Sequence, residues 1–363
     1  MKVAPVLRAL SSRNIAYRLI HTGQHFDPSM SDVFFRDLGM PAPDAALQVG
    51  SGSHATQTAA VLVGMESDLL RARPRLVVVV GDVTSTFAAA LAAAKLGIPV
   101  AHVEAGLRSR DWTMPEEINR VLTDQLSDLL LIPSEDARAN LVAEGIAPER
   151  IAFVGNVMID SLHHALAQPT DVLERFQLTD RRYAVATMHR PANVDDDASL
   201  AASMEILAAV SQKMPVVFPV HPRTRARLAA SEMNDRWQEG RSLRLVDPLG
   251  YIDFSALVKH AAVALTDSGG IQEETTALGV PCLTLRTSTE RPITVTEGTN
   301  VVVGLDRERV LMEIERVLSG HGKRGTVPRG WEGRAAANIA TCIERFLAGD
   351  PPAKTAARPS QSS

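Results

Sequence analysis

The feature that most constrains the fold is an apolar run that stops at a glycine turn. Ala261-Ala262-Val263-Ala264-Leu265-Thr266 has the composition of a buried strand, and Ser268-Gly269-Gly270-Ile271-Gln272-Glu273-Glu274 reads as the mouth of the helix that follows it. Helix-start N–H groups without intrahelical acceptors, the positive end of the helix dipole and the missing glycine Cβ together make such a turn a phosphate site. A plain strand-to-helix turn capped by Ser268 is the alternative. The carboxylates one turn further in lie too near a diphosphate to be its ligands, but are placed for sugar hydroxyls.

The same alternation of strand-like run and helical pattern continues through the chain, the signature of parallel α/β layers. Strands are expected near Ala16–Ile20, Leu76–Val80, Val100–Val103, Leu129–Ile132 and Ile151–Val154, then near Tyr183–Thr187, Val216–Val220, Leu243–Val246, Val263–Thr266 and Pro281–Leu285. A helix from about Thr84 to Leu96 should stop at Gly97. A polar stretch near Ala167–Arg182 interrupts the rhythm, and 363 residues exceed one ordinary core. The expected fold class is therefore α/β, with two Rossmann-like doubly wound domains, 1–167 and 168–334, facing each other across a cleft. A helix over 335–348 is expected to cross back to the first domain, and 349–363, rich in Pro, Ser and Ala, to be disordered.

Composition removes several function classes. A formal charge of −4 supplies no attraction for nucleic acid or an anionic membrane, and 4% aromatic residues make a poor base-stacking surface. Cys282 and Cys342 form no spaced metal set, and Cys282 sits in an apolar run, which fits a reducing cytoplasm. No apolar stretch has the length of a membrane span.

Chemistry in such folds gathers at the carboxyl ends of the strands. Val77–Val80 is followed by Gly81-Asp82, where Asp82 is either functional or a cap for the next helix. Val100–Val103 ends at Glu104, which is either functional or paired with Arg108. Pro115-Glu116-Glu117-Ile118-Asn119-Arg120 opens a helix in which Glu116 and Arg120 share a face, as a surface ion pair would. His189-Arg190 ends the first strand of the second half, and His221-Pro222-Arg223 follows the next one. Asp195-Asp196-Asp197 reads as helix capping rather than a metal cluster.

As an ordered set, these blocks resemble the UDP-N-acetylglucosamine 2-epimerases of the non-hydrolysing kind. The resemblance runs from residue 1 to about 345. It rests on Gly81-Asp82, His102-Val103-Glu104-Ala105-Gly106-Leu107-Arg108, Pro115 to Arg120, Val154-Gly155-Asn156, His189-Arg190, Ser268 to Glu274, and Thr289-Glu290-Arg291-Pro292. It implies the GT-B arrangement of two Rossmann-like domains. It also implies a strand and a Gly-Thr-Arg-Pro-Glu loop ahead of the helix in which this sequence opens, Met1–Arg13, so the natural start is expected about 10 to 20 residues upstream.

The activity implied is reversible 2-epimerisation of UDP-N-acetylglucosamine to UDP-N-acetylmannosamine, supplying surface polysaccharide synthesis. UDP would leave by anti elimination to 2-acetamidoglucal and add back after protonation from the other face, with no metal or other cofactor. Carried over by motif, Asp82, Glu104, Glu116 and His189 are the catalytic candidates, clustered carboxylates being able to keep one of their number protonated. Lys2, Arg120, Arg190, His221, Phe254, Ser268, Gly269, Gly270, Glu274 and Arg291 are the substrate-binding candidates, with Glu274 at the ribose and Phe254 near the uracil. A cytoplasmic homodimer is implied. A hydrolysing epimerase, a glycosyltransferase of the same fold and a binding-only protein are the rival readings. Some relatives carry an activating second substrate on a Gln-His pair, here Gln24-His25, and a helix arginine; Val61 stands at the expected arginine position, which predicts hyperbolic kinetics.

Overall fold

The computed structural model describes residues 1–23, 35, 37–194, 196–220, 222–230 and 242–349. Its contacts divide the chain into two compact units, one of Met1–Ser161 together with Arg329 onward, the other of Leu162–Pro328. No helix among the described residues is long and apolar enough to cross a membrane.

In the first unit, the strands β3 (Val77–Val80), β4 (Val100–Val103), β5 (Leu129–Ile132) and β6 (Ile151–Phe153) form a parallel sheet in that spatial order. Their side chains alternate between two apolar layers, as the period of two requires. Val77 and Val79 join Val61, Met65 and Leu69 of the helix His54–Ala72, and the alanines of the helix Thr84–Lys95. Ala101, Val103 and Leu131 join Val6 and Leu10 of the helix Val3–Ser12, and Ile339, Ala340 and Ile343 of the helix Ala335–Leu347. The final helix is thus part of the first unit's core.

The expected run at Ala16–Ile20 yields only β1 (Ile20–His21), paired in parallel with β2 (Ala45–Ala46) as a separate two-stranded sheet. Two-residue strands leave no periodic signal in a sequence. Gln24-His25 lies outside the described residues. Val61 is wholly buried, so its place in the helix is set by packing.

The second unit holds six parallel strands: β7 (Ala184–Thr187), β8 (Val216–Pro219), β9 (Leu243–Val246), β10 (Val263–Thr266), β11 (Cys282–Thr284) and β12 (Asn300–Val302). Their spatial order, β12-β11-β10-β7-β8-β9, reverses direction between β7 and β10. That is the doubly wound Rossmann order, and the reversal opens a crevice at the carboxyl ends of those two strands. The helix Gly269–Leu278 leaves β10 at that point and ends at Gly279, whose φ of +66° suits glycine. β12 carries Asn300 in its first position and has too short an apolar run to announce itself.

The returning chain locks into the first unit just past β6. Asn156 N–H donates to the Gly330 carbonyl at 3.2 Å, and the buried indole of Trp331 donates to the Pro133 carbonyl at 3.3 Å. A Cβ added at Gly155, which has φ +90°, would sit 2.1 Å from the Gly330 oxygen. Gly155→Ala therefore meets both backbone strain and a backbone clash, and is expected to destabilise the first unit by about 2–4 kcal/mol. Chemical denaturation checks this, and an unchanged midpoint contradicts it.

Candidate active site

The first unit gathers its ionisable residues at the ends of β3 and β4. Gly81 leaves β3 at φ +77°, its N–H bonded to the Val103 carbonyl at 3.1 Å. Asp82 then turns its carboxylate to Arg120 Nη2 at 2.7 Å, while its carbonyl accepts from Asn119 Nδ2 at 3.0 Å. The N-cap position of the next helix belongs to Val83, which makes no side-chain cap bond.

Glu104 follows β4 in the left-handed region at φ +73°, a conformation that costs energy in any residue but glycine. Its buried carboxylate is paired with Lys2 Nζ. A Cβ at Gly81 would lie 3.5 Å from Glu104 Oε2 and 3.6 Å from Lys2 Nζ, which puts this pair beside the Gly81-Asp82 turn. The expected alternative for Glu104, a pair with Arg108, does not form. Arg108 reaches Asp124 at 2.8 Å and Glu144 at 2.6 Å.

Glu116 is half-buried in the first turn of the helix Pro115–Leu126 and bonds to none of the described residues. The surface pair with Arg120 that its spacing allows is replaced by inward contacts. Arg120 is buried and lies between Asp82 and Glu117, the latter at 3.2 Å. Glu117 also accepts N–H bonds from Ser109 at 2.9 Å and Arg110 at 2.8 Å, fixing the loop ahead of its own helix.

In the second unit, His189 and Arg190 leave β7 where Asp267 and Ser268 leave β10. The buried Asp267 carboxylate accepts the backbone N–H groups of His189, at 3.1 Å, and Arg190, at 3.0 Å, and the Asn193 amide at 3.1 Å. His189 Nδ1 is 3.1 Å from it, while that side chain is 55% exposed, so the ring is both anchored and reachable. Burial opposes ionisation of Asp267, yet His189 and the N–H donors hold its pKa below the usual carboxylate value.

Ser268 is the N-cap of the helix Gly269–Leu278 without a side-chain cap bond. A Cβ at Gly269 would come 2.8 Å from Glu290 Oε1 and 3.1 Å from the Arg291 guanidinium, so a side chain there would displace that ion pair. Gly270 completes the turn. Glu290 sits among Arg190 at 3.0 Å, Arg286 at 2.8 Å and Arg291 at 3.0 Å. Burial works against its charge, but Arg291, Arg286 and Arg190 bring its pKa down to about 2. Arg291 also donates to Glu273 at 2.9 Å. Three guanidiniums thus face the Glu290 carboxylate, and that of Arg291 also faces Glu273, while the Asp267 carboxylate lies against His189. Fixed charge nearly cancels, which leaves anion attraction to the N–H groups at the helix start and to the guanidinium edges.

Glu274 is wholly buried one turn in, with Oε1 accepting from the Tyr251 hydroxyl at 2.8 Å and Oε2 bonded to no described residue. Phe254, half-buried on the helix Tyr251–His260, packs against the apolar cluster of Tyr183, Val185 and Leu257. His221 lies outside the described residues. Asp196 of the Asp triplet caps its helix by accepting from Ser199 N–H at 2.8 Å, and among the described residues no group of three or more His, Cys, Asp or Glu is gathered as a metal site would need. Asp267, Asp124, Arg286 and Glu117 escaped the sequence reading. Only the position of Asp267, directly after a strand and beside the phosphate turn, was a signal that could have found it.

Residues 8–344 match the family model for UDP-N-acetylglucosamine 2-epimerase. The chain belongs to that family. The family is one of isomerases. The chain is 41% identical over 341 residues to a UDP-N-acetylglucosamine 2-epimerase of Methanocaldococcus jannaschii, covering 90% of this chain and 93% of that one. It is 40% identical over 315 residues to a UDP-2,3-diacetamido-2,3-dideoxy-D-glucuronate 2-epimerase of Pseudomonas aeruginosa, covering 86% and 87%. The M. jannaschii family member crystallised with UDP-GlcNAc and UDP superposes with a TM-score of 0.86 at 40% identity, covering 94% of this chain and 96% of that one. The fold class of the family, α/β with two Rossmann-like units of the GT-B type, is that of this chain.

Glu274 generates a pH prediction. Burial raises its pKa from 4.5 to about 7, against the Tyr251 bond and with a further push from Glu273. A carboxyl whose folded pKa is raised contributes stability that is complete below the unfolded value and lost as pH rises through the folded one. The unliganded protein should lose on the order of 3 kcal/mol through this group between about pH 4.5 and 8. Glu274→Gln removes the dependence, so the variant's melting temperature should gain on wild type as pH rises from about 4.5 to 7 and hold that gain at higher pH. A difference that stays constant with pH contradicts it.

Proposed function

We propose that the protein inverts C2 of UDP-N-acetylglucosamine, interconverting it with UDP-N-acetylmannosamine. The observation that carries this reading is the pair of built sites, Asp82, Glu104 and Arg120 at strand ends of the first unit and the Asp267–Gly270 turn at the switch point of the second, in a chain 41% identical to a 2-epimerase. The Rossmann switch point and the helix-start N–H groups suit a nucleoside diphosphate.

The C2 proton of an N-acetylhexosamine has no adjacent carbonyl to acidify it, so direct deprotonation faces a high barrier. Anti elimination of UDP couples proton loss at C2 to cleavage of the C1–O bond, giving 2-acetamidoglucal. UDP then adds back at C1 as C2 is protonated from the opposite face. Two faces need two proton-transfer groups. Asp82, Glu104 and Glu116 are assigned to that task, with Arg120 and Lys2 holding the first two in place. Ser268, Gly269 and Gly270 take the diphosphate with Arg190, His189 and His221, and Arg291 serves the sugar side. Their N–H groups and positive charge stabilise the departing UDP. Glu274 accepts the ribose hydroxyls, and Phe254 borders the uracil. The reaction is redox-neutral and calls for no metal or nicotinamide. The protein acts as a cytoplasmic homodimer whose product feeds surface polysaccharide synthesis.

A second substrate reading rests on the P. aeruginosa relative, whose identity to this chain is nearly the same. A 2,3-diacetamido uronate has the same chemistry at C2 and differs at C3 and C6.

The deciding experiment incubates the protein with each UDP-sugar in heavy water and follows the anomeric protons by NMR. UDP-N-acetylglucosamine should give UDP-N-acetylmannosamine with deuterium at C2 of both product and recovered substrate; product without deuterium overturns the glucal route, and conversion of the uronate alone overturns the substrate. In the same assay, Glu104→Gln or Glu116→Gln should lower kcat by about two to four orders of magnitude with UDP affinity little changed. Ribose hydroxyls donating to Glu274 favour its ionised form, so UDP binding near pH 7 should release about half a proton. Calorimetry in buffers of different ionisation enthalpy reads that release, and Glu274→Gln should abolish it.

A further inference from the structure

Behind the first unit's carboxylates lies a buried charge that the proposed mechanism does not use. His102, in β4, is 0% exposed, with Nδ1 2.6 Å from Asp124 Oδ1 and Nε2 2.8 Å from the Gly81 carbonyl oxygen. Neither partner is a donor when Asp124 is ionised. The other carboxylate oxygen of Asp124 has donors of its own: Oδ2 accepts the Gly106 N–H at 3.0 Å and faces the Arg108 guanidinium at 2.8 Å. Both ring nitrogens of His102 must therefore carry a proton, and the ring is an imidazolium. The bond to Gly81 is a charge-assisted one, stronger than a neutral contact.

That bond grips the turn where it matters. Gly81 donates its N–H to Val103 and accepts at its carbonyl from His102, so its two peptide groups are tied to adjacent residues of β4. Asp82 leaves this turn, and Glu104 leaves β4 two residues after His102 in its strained conformation. We propose that His102 is a positioning residue, a permanent imidazolium that holds the Gly81 carbonyl and thereby sets Asp82 and Glu104 in a common register for proton transfer. The charged groups around it are Asp124 from the helix Pro115–Leu126, Arg108 from the loop after β4 with Glu144 beyond it, and Glu104 with its partner Lys2. Burial works against the cation, but Asp124, the Gly81 carbonyl and Glu104 outweigh it and raise the ring's pKa.

The role in turnover rests on the epimerase reading, so two readouts are paired. In the first, the protein labelled with 15N-histidine is followed by NMR from about pH 6 to 9, the His102 signals being identified by their loss in His102→Gln. Both nitrogens should keep imidazolium shifts throughout; a neutral ring by about pH 8 overturns the proposal, whether or not the protein turns over a sugar. The second compares His102→Asn, whose amide can replace Nδ1 toward Asp124 but cannot reach Gly81, with His102→Gln, whose amide can donate to Gly81. His102→Asn should lose about 100-fold in kcat with KM changed less than about threefold, while His102→Gln recovers to within about tenfold of wild type. Equal losses in the two variants, or losses that only follow the folded fraction, show a merely structural histidine and overturn the proposal. Wild-type turnover in the same assay tests the epimerase reading separately.

Discussion

The second unit's site depends on one buried carboxylate. Asp267 is taken out of water at the end of β10, which is costly unless its lone pairs are filled. The groups that fill them come from the chain leaving β7: the N–H groups of His189 and Arg190, the Asn193 amide and the His189 ring. A sheet hydrogen-bonds its strands only along their length, and past the last ladder bond two diverging turns are free to separate. Asp267 closes that gap at the point where the strand order reverses. Because the donors are backbone groups of the same residues whose side chains point to the site, the anchor and the site cannot move independently.

The first unit solves a related problem with cations. Asp82 has Arg120, Glu104 has Lys2, and Asp124 has His102 and Arg108. Carboxylates crowded at a strand end would repel one another, and supplying each with its own positive partner lets them stay close and buried. The carboxylates and their partners form a lattice of alternating charge. Glu116 stands outside that lattice, half-buried and without a described partner.

Much of this was legible in the residues. Val77–Val80, Val100–Val103 and Val263–Thr266 are strands because short β-branched and aliphatic runs suit a parallel sheet buried on both faces. The pairings were not legible. A buried Glu at a strand end needs a partner, and Arg108 is the nearby candidate in sequence, yet at φ +73° the chain turns Glu104 toward Lys2, 102 residues away in sequence. Spacing on one helix face also allows Arg120 a surface pair with Glu116, whereas it faces inward to Asp82 and Glu117. Local spacing reports who can meet within an element. Tertiary partners such as Asp267 with His189, or His102 with Gly81, depend on strand order, which the sequence does not print.

The first unit is interrupted by the second. Its sheet and its first helix come from residues before Ser161, but Ile339, Ala340 and Ile343, which cover one face of that sheet, arrive only after the whole of Leu162–Pro328. On a ribosome the inserted unit, contiguous in sequence, can complete its core while the earlier one still shows Val6, Leu10 and Val103 to water. The half of the molecule made first is therefore the half whose core is completed last.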